Sequence, residues 1–165
     1  MDQAAGTVKR WHVDAWPPLA WLETVIKLIA LGIGLVTLIG ALSDGDFDLP
    51  GGVRLGQLIV LAVLSLGLGV AIADRIIERE IVAMAFVIVN NLGHWGMVIA
   101  LASADGPGTA LVAFCALMLI GDLVKVVFLR VHHYTTRDTP PAVMVGLTLF
   151  YAAGYGLILL LEAVR

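Results

Sequence analysis

Cysteine is almost absent: Cys115 stands alone among 165 residues. That excludes an internal disulfide, a CxxC redox motif and a cysteine-based zinc site. Charge is scarce too. Only 14% of residues are charged, against about 25% in an ordinary soluble domain, so a conventional solvated surface is excluded. The charge present sums to −3. No strong basic field exists for a nucleic-acid backbone, and no nucleic-acid partner is expected. The chain lacks a Walker loop, a GxSxG elbow and an HExxH motif. It also lacks a convincing internal repeat, which argues against inverted-repeat transporter architecture.

Apolar residues take the vacated space: 60% of the chain is hydrophobic and the mean hydropathy is +0.98. A helix needs about 20 mostly apolar residues to cross a bilayer core of ~30 Å. Five stretches approach that length: Trp16–Leu42, Leu55–Ala73, Ile81–Ser103, Thr109–Val131 and Ala142–Ala163. In all but the first, which carries Glu23 and Lys27 in its opening turns, no amphipathic stripe stands out, as lipid-facing helices require. Turn formers punctuate them: "DGDFDLPGG", "DRIIERE", "ADGPG" and "HHYTTRDTPP". The fold class is therefore an all-α integral membrane protein, a bundle of five transmembrane helices. Residues 1–15 are a polar N-terminal segment, and residues 16–165 a single transmembrane domain.

Sidedness follows from the basic residues. Lys9 and Arg10 precede the first span, Arg75 and Arg79 separate the second and third, and Arg130 and Arg137 separate the fourth and fifth. The alternate connections carry Arg54 and otherwise Asp44, Asp46, Asp48 and Asp105. Positive-inside bias then puts the N-terminus in the cytoplasm and the C-terminus outside, in a multi-pass protein of the cell membrane. The first span has the basic lead and the small-x-small site (Ala41–Ser43) of a signal peptide. Its long polar lead and the charges of Glu23 and Lys27 favour a retained span. Those two charges are four apart in the favourable order and are expected to pair near the inner surface, where Trp11, Trp16 and Trp21 suit an interfacial belt.

The third span breaks its apolar pattern with "NNLGHW". Asn90 and Asn91 lie four and three residues before His94, so all three share one broad helix face. The short link after this span makes spans three and four expected neighbours. At ~1.5 Å of rise per residue, Asn90, Asn91 and Asp122 then share one depth near mid-membrane. Lys125 lies a turn closer to the cytoplasm and within reach of Asp122 along the helix. A charge at this depth is a functional candidate by default. The expected cluster is Asn90, Asn91, His94, Asp122 and Lys125 between spans three and four. It reads first as a clasp, with a proton path or a binding pocket as alternatives.

No metal site and no cofactor are expected. His94 sits ~20 Å in depth from His132 and His133, so they cannot share a haem iron. In the loop "RVHHYTTRD", Arg130, His132, His133 and Arg137 form a cationic rim of the kind that binds anionic headgroups. Positive-inside bias explains the same residues more simply. Small residues (Ala30 and Gly34; Ser65, Gly67 and Gly69; Gly146, Ala152, Ala153, Gly154 and Gly156) permit close helix packing, within one bundle or against a partner. The leading functional expectation is a small non-catalytic helical subunit of a membrane assembly, in contact with lipids and with a homo-oligomer or larger complex. A proton-coupled carrier or channel using Asp122 and His94 is the second. A lipid-handling enzyme using the cytoplasmic loop is the third.

Overall fold

Proline opens the first helix and glycine closes it. Pro18 starts α1, Pro18–Asp44, where its missing N–H costs nothing. Gly45 ends it with φ 69°, donating its N–H to the Ala41 carbonyl. Pro141 opens α5, Pro141–Ala163, in the same way. Between them lie α2, Gly52–Glu78; α3, Ile81–Leu101; and α4, Thr109–Val131. The computed structural model describes residues 16–78, 81–132 and 140–165, with backbone alone for 71–78 and 81–84. The expected cytoplasmic segment 1–15 lies outside the described residues.

Among the described residues, four helices are long and apolar enough to cross a membrane, and the Ala85–Leu101 part of α3 is apolar and shorter. One boundary differs from the sequence expectation. "DRIIERE" is expected as a connection, yet α2 continues into it as far as Glu78. The segment holds no glycine or proline to stop a helix, and Arg, Ile and Glu sustain one.

Each helix has two principal neighbours. Around the bundle the order is α1, α3, α2, α5, α4 and back to α1. The expectation that α3 and α4 pack side by side is therefore corrected: α1 lies between them. The reason is the length of the connection. Residues 102–108 span more than ~20 Å when extended, enough to pass a helix seated ~8–10 Å from each neighbour.

Side chains fill the centre. Leu31, Leu61, Leu64, Met97, Phe114, Met118, Tyr155 and Ile158 are buried together, contributed by all five helices. Large apolar residues point the other way on the outer faces: Val36 is 70% exposed, Val70 73% and Leu160 66%. In water this arrangement would leave an extensive apolar surface; in a bilayer it is the required exterior. Hydroxyls within the spans also find partners at home. Thr24, Thr37, Ser65 and Thr148 each donate to the carbonyl four residues earlier.

Glycine sets the α1–α3 crossing. A Cβ on Gly34 would fall on the Gly93 carbonyl, and one on Gly96 would fall on the Gly34 oxygen. Backbone meets backbone there, the closest approach membrane helices make. Gly34→Ala should therefore cost about 1–3 kcal/mol through forced separation of the helices. Gly146, with nothing within 4 Å of its would-be Cβ, is the control. Gly146→Ala should be neutral or gain up to ~1 kcal/mol. Reversible unfolding in detergent micelles measures both.

Candidate functional site

The polar side chains expected to form one cluster fall into two groups on different helix pairs. Asp122 turns to α1, not to α3: its Oδ1 is 2.6 Å from Lys27 Nζ. Lys27 also reaches Glu23, its neighbour one turn earlier, at 2.8 Å. The expected Glu23–Lys27 pair is present, and Asp122 completes a triad across the α1–α4 seam. Lys27 lies as far from the start of α1 as Asp122 lies from the end of α4, roughly 14 Å along each at the standard rise. Both are buried. Gly121 makes the contact possible, since a Cβ there would meet Lys27 Cγ at 2.9 Å and Cε at 3.1 Å. The expected pairing of Lys125 with Asp122 is not formed; Lys125 is half-buried and beyond ion-pair distance of it.

His94 forms the second group. It is fully buried and bonded at both ring nitrogens. Nδ1 lies 2.7 Å from the Asn90 carbonyl oxygen, and Nε2 lies 2.5 Å from the Tyr155 hydroxyl of α5. With Nδ1 protonated toward the carbonyl, Nε2 accepts from Tyr155. Phe114 of α4 closes the group edge-on, 5.1 Å from the imidazole centroid and 6.4 Å from the Tyr155 ring. Neither amide reaches Asp122 as expected. Asn91 donates to its own helix, at the Val87 carbonyl, 3.2 Å away. Asn90 is half-buried and its Oδ1 has no hydrogen-bond partner among the described residues. The same holds for Asp122 Oδ2.

These partners correct the expected clasp between spans three and four. Because α1 separates those helices, Asp122 meets Lys27 and His94 meets α5. Sequence reading placed Lys27 only beside Glu23 and passed over Tyr155, Phe114, Gly93 and Gly96. Two signals were available. Lys27 matches Asp122 in depth and opposes it in charge. The glycines stand inside "NNLGHWG", on either side of the histidine.

Of the cationic loop, Arg130 and His132 are exposed at the C-terminal end of α4, and the His132 ring lies tilted against Phe128 with centroids 5.5 Å apart. His133 and Arg137 lie outside the described residues. At the same end Trp16 and Trp21 pack with ring centroids 5.4 Å apart, as an interfacial belt requires. Among the described residues no three His, Cys, Asp or Glu side chains converge as metal ligands.

The opposite end has its own polar network. The α1–α2 and α3–α4 connections join through Asp48 N–H to the Ala102 carbonyl, 2.9 Å, and Ala104 N–H to the Asp46 carbonyl, 3.0 Å. Arg54, near the start of α2, donates to the carbonyls of Leu101, Ser103 and Ala104. A guanidinium there satisfies orphan acceptors at the negative end of α3. Beside it, Gln57 Nε2 donates to Glu162 of α5 over 2.7 Å.

These features define a multi-pass helical membrane protein whose interior carries polar ties between helices. Compared with family models, curated proteins and solved structures, the chain shows no match.

The triad predicts an asymmetry. Removing one partner of a buried ion pair costs about 3–5 kcal/mol. Lys27→Met should reach that range, because it strands Glu23 and Asp122 together. Asp122→Leu should cost less, since Lys27 retains Glu23. The double variant should recover part of the loss, a coupling that a double-mutant cycle of unfolding free energies measures.

Proposed function

We propose that the protein is a non-catalytic helical subunit of an assembly in the cell membrane, with its N-terminus in the cytoplasm and its C-terminus outside. The observation that supports this reading is the direction of the polar bonds. Glu23–Lys27–Asp122 ties α1 to α4, His94–Tyr155 ties α3 to α5, and apolar side chains fill the space around them. The intramembrane charges thus brace the bundle rather than line an aqueous path. What faces outward is apolar helix surface, suited to lipids, to a second copy or to a neighbouring membrane helix.

Purification in native lipid discs followed by crosslinking and mass spectrometry tests the reading. The expected outcome is a discrete homo-oligomer or a partner at fixed stoichiometry. Proton-coupled transport through Asp122 and His94 is the second reading. Asp122 Oδ2 and Asn90 Oδ1, buried and without partners among the described residues, favour it. A monomer whose vesicles pass protons down an imposed pH gradient, with flux lost in Asp122→Asn, would replace the subunit reading.

The orientation has a separate check. The native thiol, Cys115, is buried, so the labelling background is low. Cysteines placed at Asp46 or Asp105 should react with an impermeant reagent on intact cells. Cysteines at Arg79 or Arg137 should be protected.

A further inference from the structure

The α1–α4 seam carries its charges in two successive layers. In the first, Lys27 meets Asp122 at 2.6 Å. The helices run antiparallel, since Gly121 faces Lys27 while Ala20 packs with Phe128 and Leu129. One turn closer to the start of α1 and the end of α4, Glu23 and Lys125 therefore stand level with each other. Contacts bracket this second layer on both sides, yet it is open. Lys125 Nζ makes no hydrogen bond or ion pair among the described residues. Glu23 engages Lys27 through Oε1 alone.

Both free atoms can be reached. Glu23 and Lys125 are half-buried. Among the described residues, the sealed side-chain atoms without partners are Gln57 Oε1, Asn90 Oδ1 and Asp122 Oδ2; Lys125 Nζ and Glu23 Oε2 are not of their number. Nor does Lys125 point at lipid, because Gly121, Asp122, Phe128 and Leu129 flank it at helical spacing and are all buried. Asn90 and Tyr151 likewise sit on inward faces in this half of the bundle and are half-buried. In the other half Leu61, Met97, Phe114 and Ile158 close the interior completely. The His94–Tyr155 bond, with Phe114 edge-on to it, marks the boundary. The open layer is thus a dead end, a place to bind rather than a path.

The charges restrict the occupant. Glu23, Lys27, Asp122 and Lys125 sum to zero, and an occupant with a net charge would add an uncompensated one at membrane depth. A cation and a carboxylate oxygen wait on opposite sides of one gap. We propose that a small zwitterion binds in this layer, its anionic group on Lys125 Nζ and its N–H donors on Glu23 Oε2. A free amino acid and an ethanolamine phospholipid headgroup share that chemistry. Such a site goes beyond the subunit reading and does not depend on it.

The test places the full chain in phosphatidylcholine nanodiscs and titrates glycine, β-alanine and γ-aminobutyrate, which differ in the distance between their charges. Acetate and methylammonium serve as the separate halves. By calorimetry one of the three should bind about tenfold or more tighter than either half, the scale of one charge-assisted hydrogen bond. Lys125→Met should abolish that binding. Because it removes an unpaired charge from the membrane interior, it should leave the melting temperature unchanged or raise it. Glu23→Gln, which keeps an oxygen, should weaken binding severalfold. A second arm adds phosphatidylethanolamine to the discs and counts retained lipid by native mass spectrometry. Retention that Lys125→Met abolishes, with no amino acid bound, would support the site and assign it to the headgroup. Acetate binding as tightly as the zwitterions would overturn the proposal, and so would neither amino acid nor phosphatidylethanolamine binding. A fall in the melting temperature of Lys125→Met would make Lys125 a structural residue and overturn it too.

Discussion

Lys27 and Asp122 meet at 2.6 Å deep between α1 and α4, and the arrangement of the bundle depends on that meeting. Neither charge is tolerable alone in hydrocarbon, where each costs ~2.5–3.5 kcal/mol even on insertion scales. Glu23 offsets part of the cost for Lys27. Nothing on α4 within ion-pair distance does so for Asp122. The carboxylate therefore demands a cation from another helix, and α1 supplies it. With α1 set against α4, α3 lies on the other flank of α1. There the glycines at 34, 93 and 96 let the two backbones touch. The remaining helices, α2 and α5, close the ring.

Most of the architecture was legible in the sequence because a bilayer imposes a length and a composition on every crossing segment. The ends of α4 were read to the residue, since Gly108 precedes it and polar residues follow Val131. The end of α2 was missed because its last residues are polar but still helix-forming; hydropathy marks where the membrane ends, not where the helix does. The neighbours were read wrongly for a different reason. A short connection restricts distance but does not dictate adjacency, and a seven-residue link can step over a helix. Asp122 and His94 were both recognised as buried and polar. Their partners were not, because partner choice follows from the ring order, which no local pattern encodes.

The two ends of the bundle solve the same problem with different chemistry. The end where α4 finishes leaves Arg130 and His132 exposed, beside the Trp16–Trp21 pair. The opposite end instead folds Arg54, near the start of α2, back onto the carbonyls of the α3–α4 connection. Arg54 stands out as a basic residue on the side where acidic residues dominate the loops. Its bonds account for that placement: it serves backbone acceptors at the end of α3 rather than orientation.

The position of α1 between α3 and α4 bears on the order of events at synthesis. Chains enter the membrane from the N-terminus, so α1 arrives before either flanking helix exists. At that stage Lys27 has Glu23 alone, one turn away on its own helix, a pair that accompanies the segment through insertion. The α2–α3 hairpin comes next and offers α1 its glycine seat. Asp122 arrives only with α4, which must settle on the far side of a helix already in place. Tyr155, on the last helix, then reaches His94 across the interior. The bundle is thus closed by its final third, and a chain interrupted before α4 would hold a lysine in the bilayer with only half of its eventual countercharge.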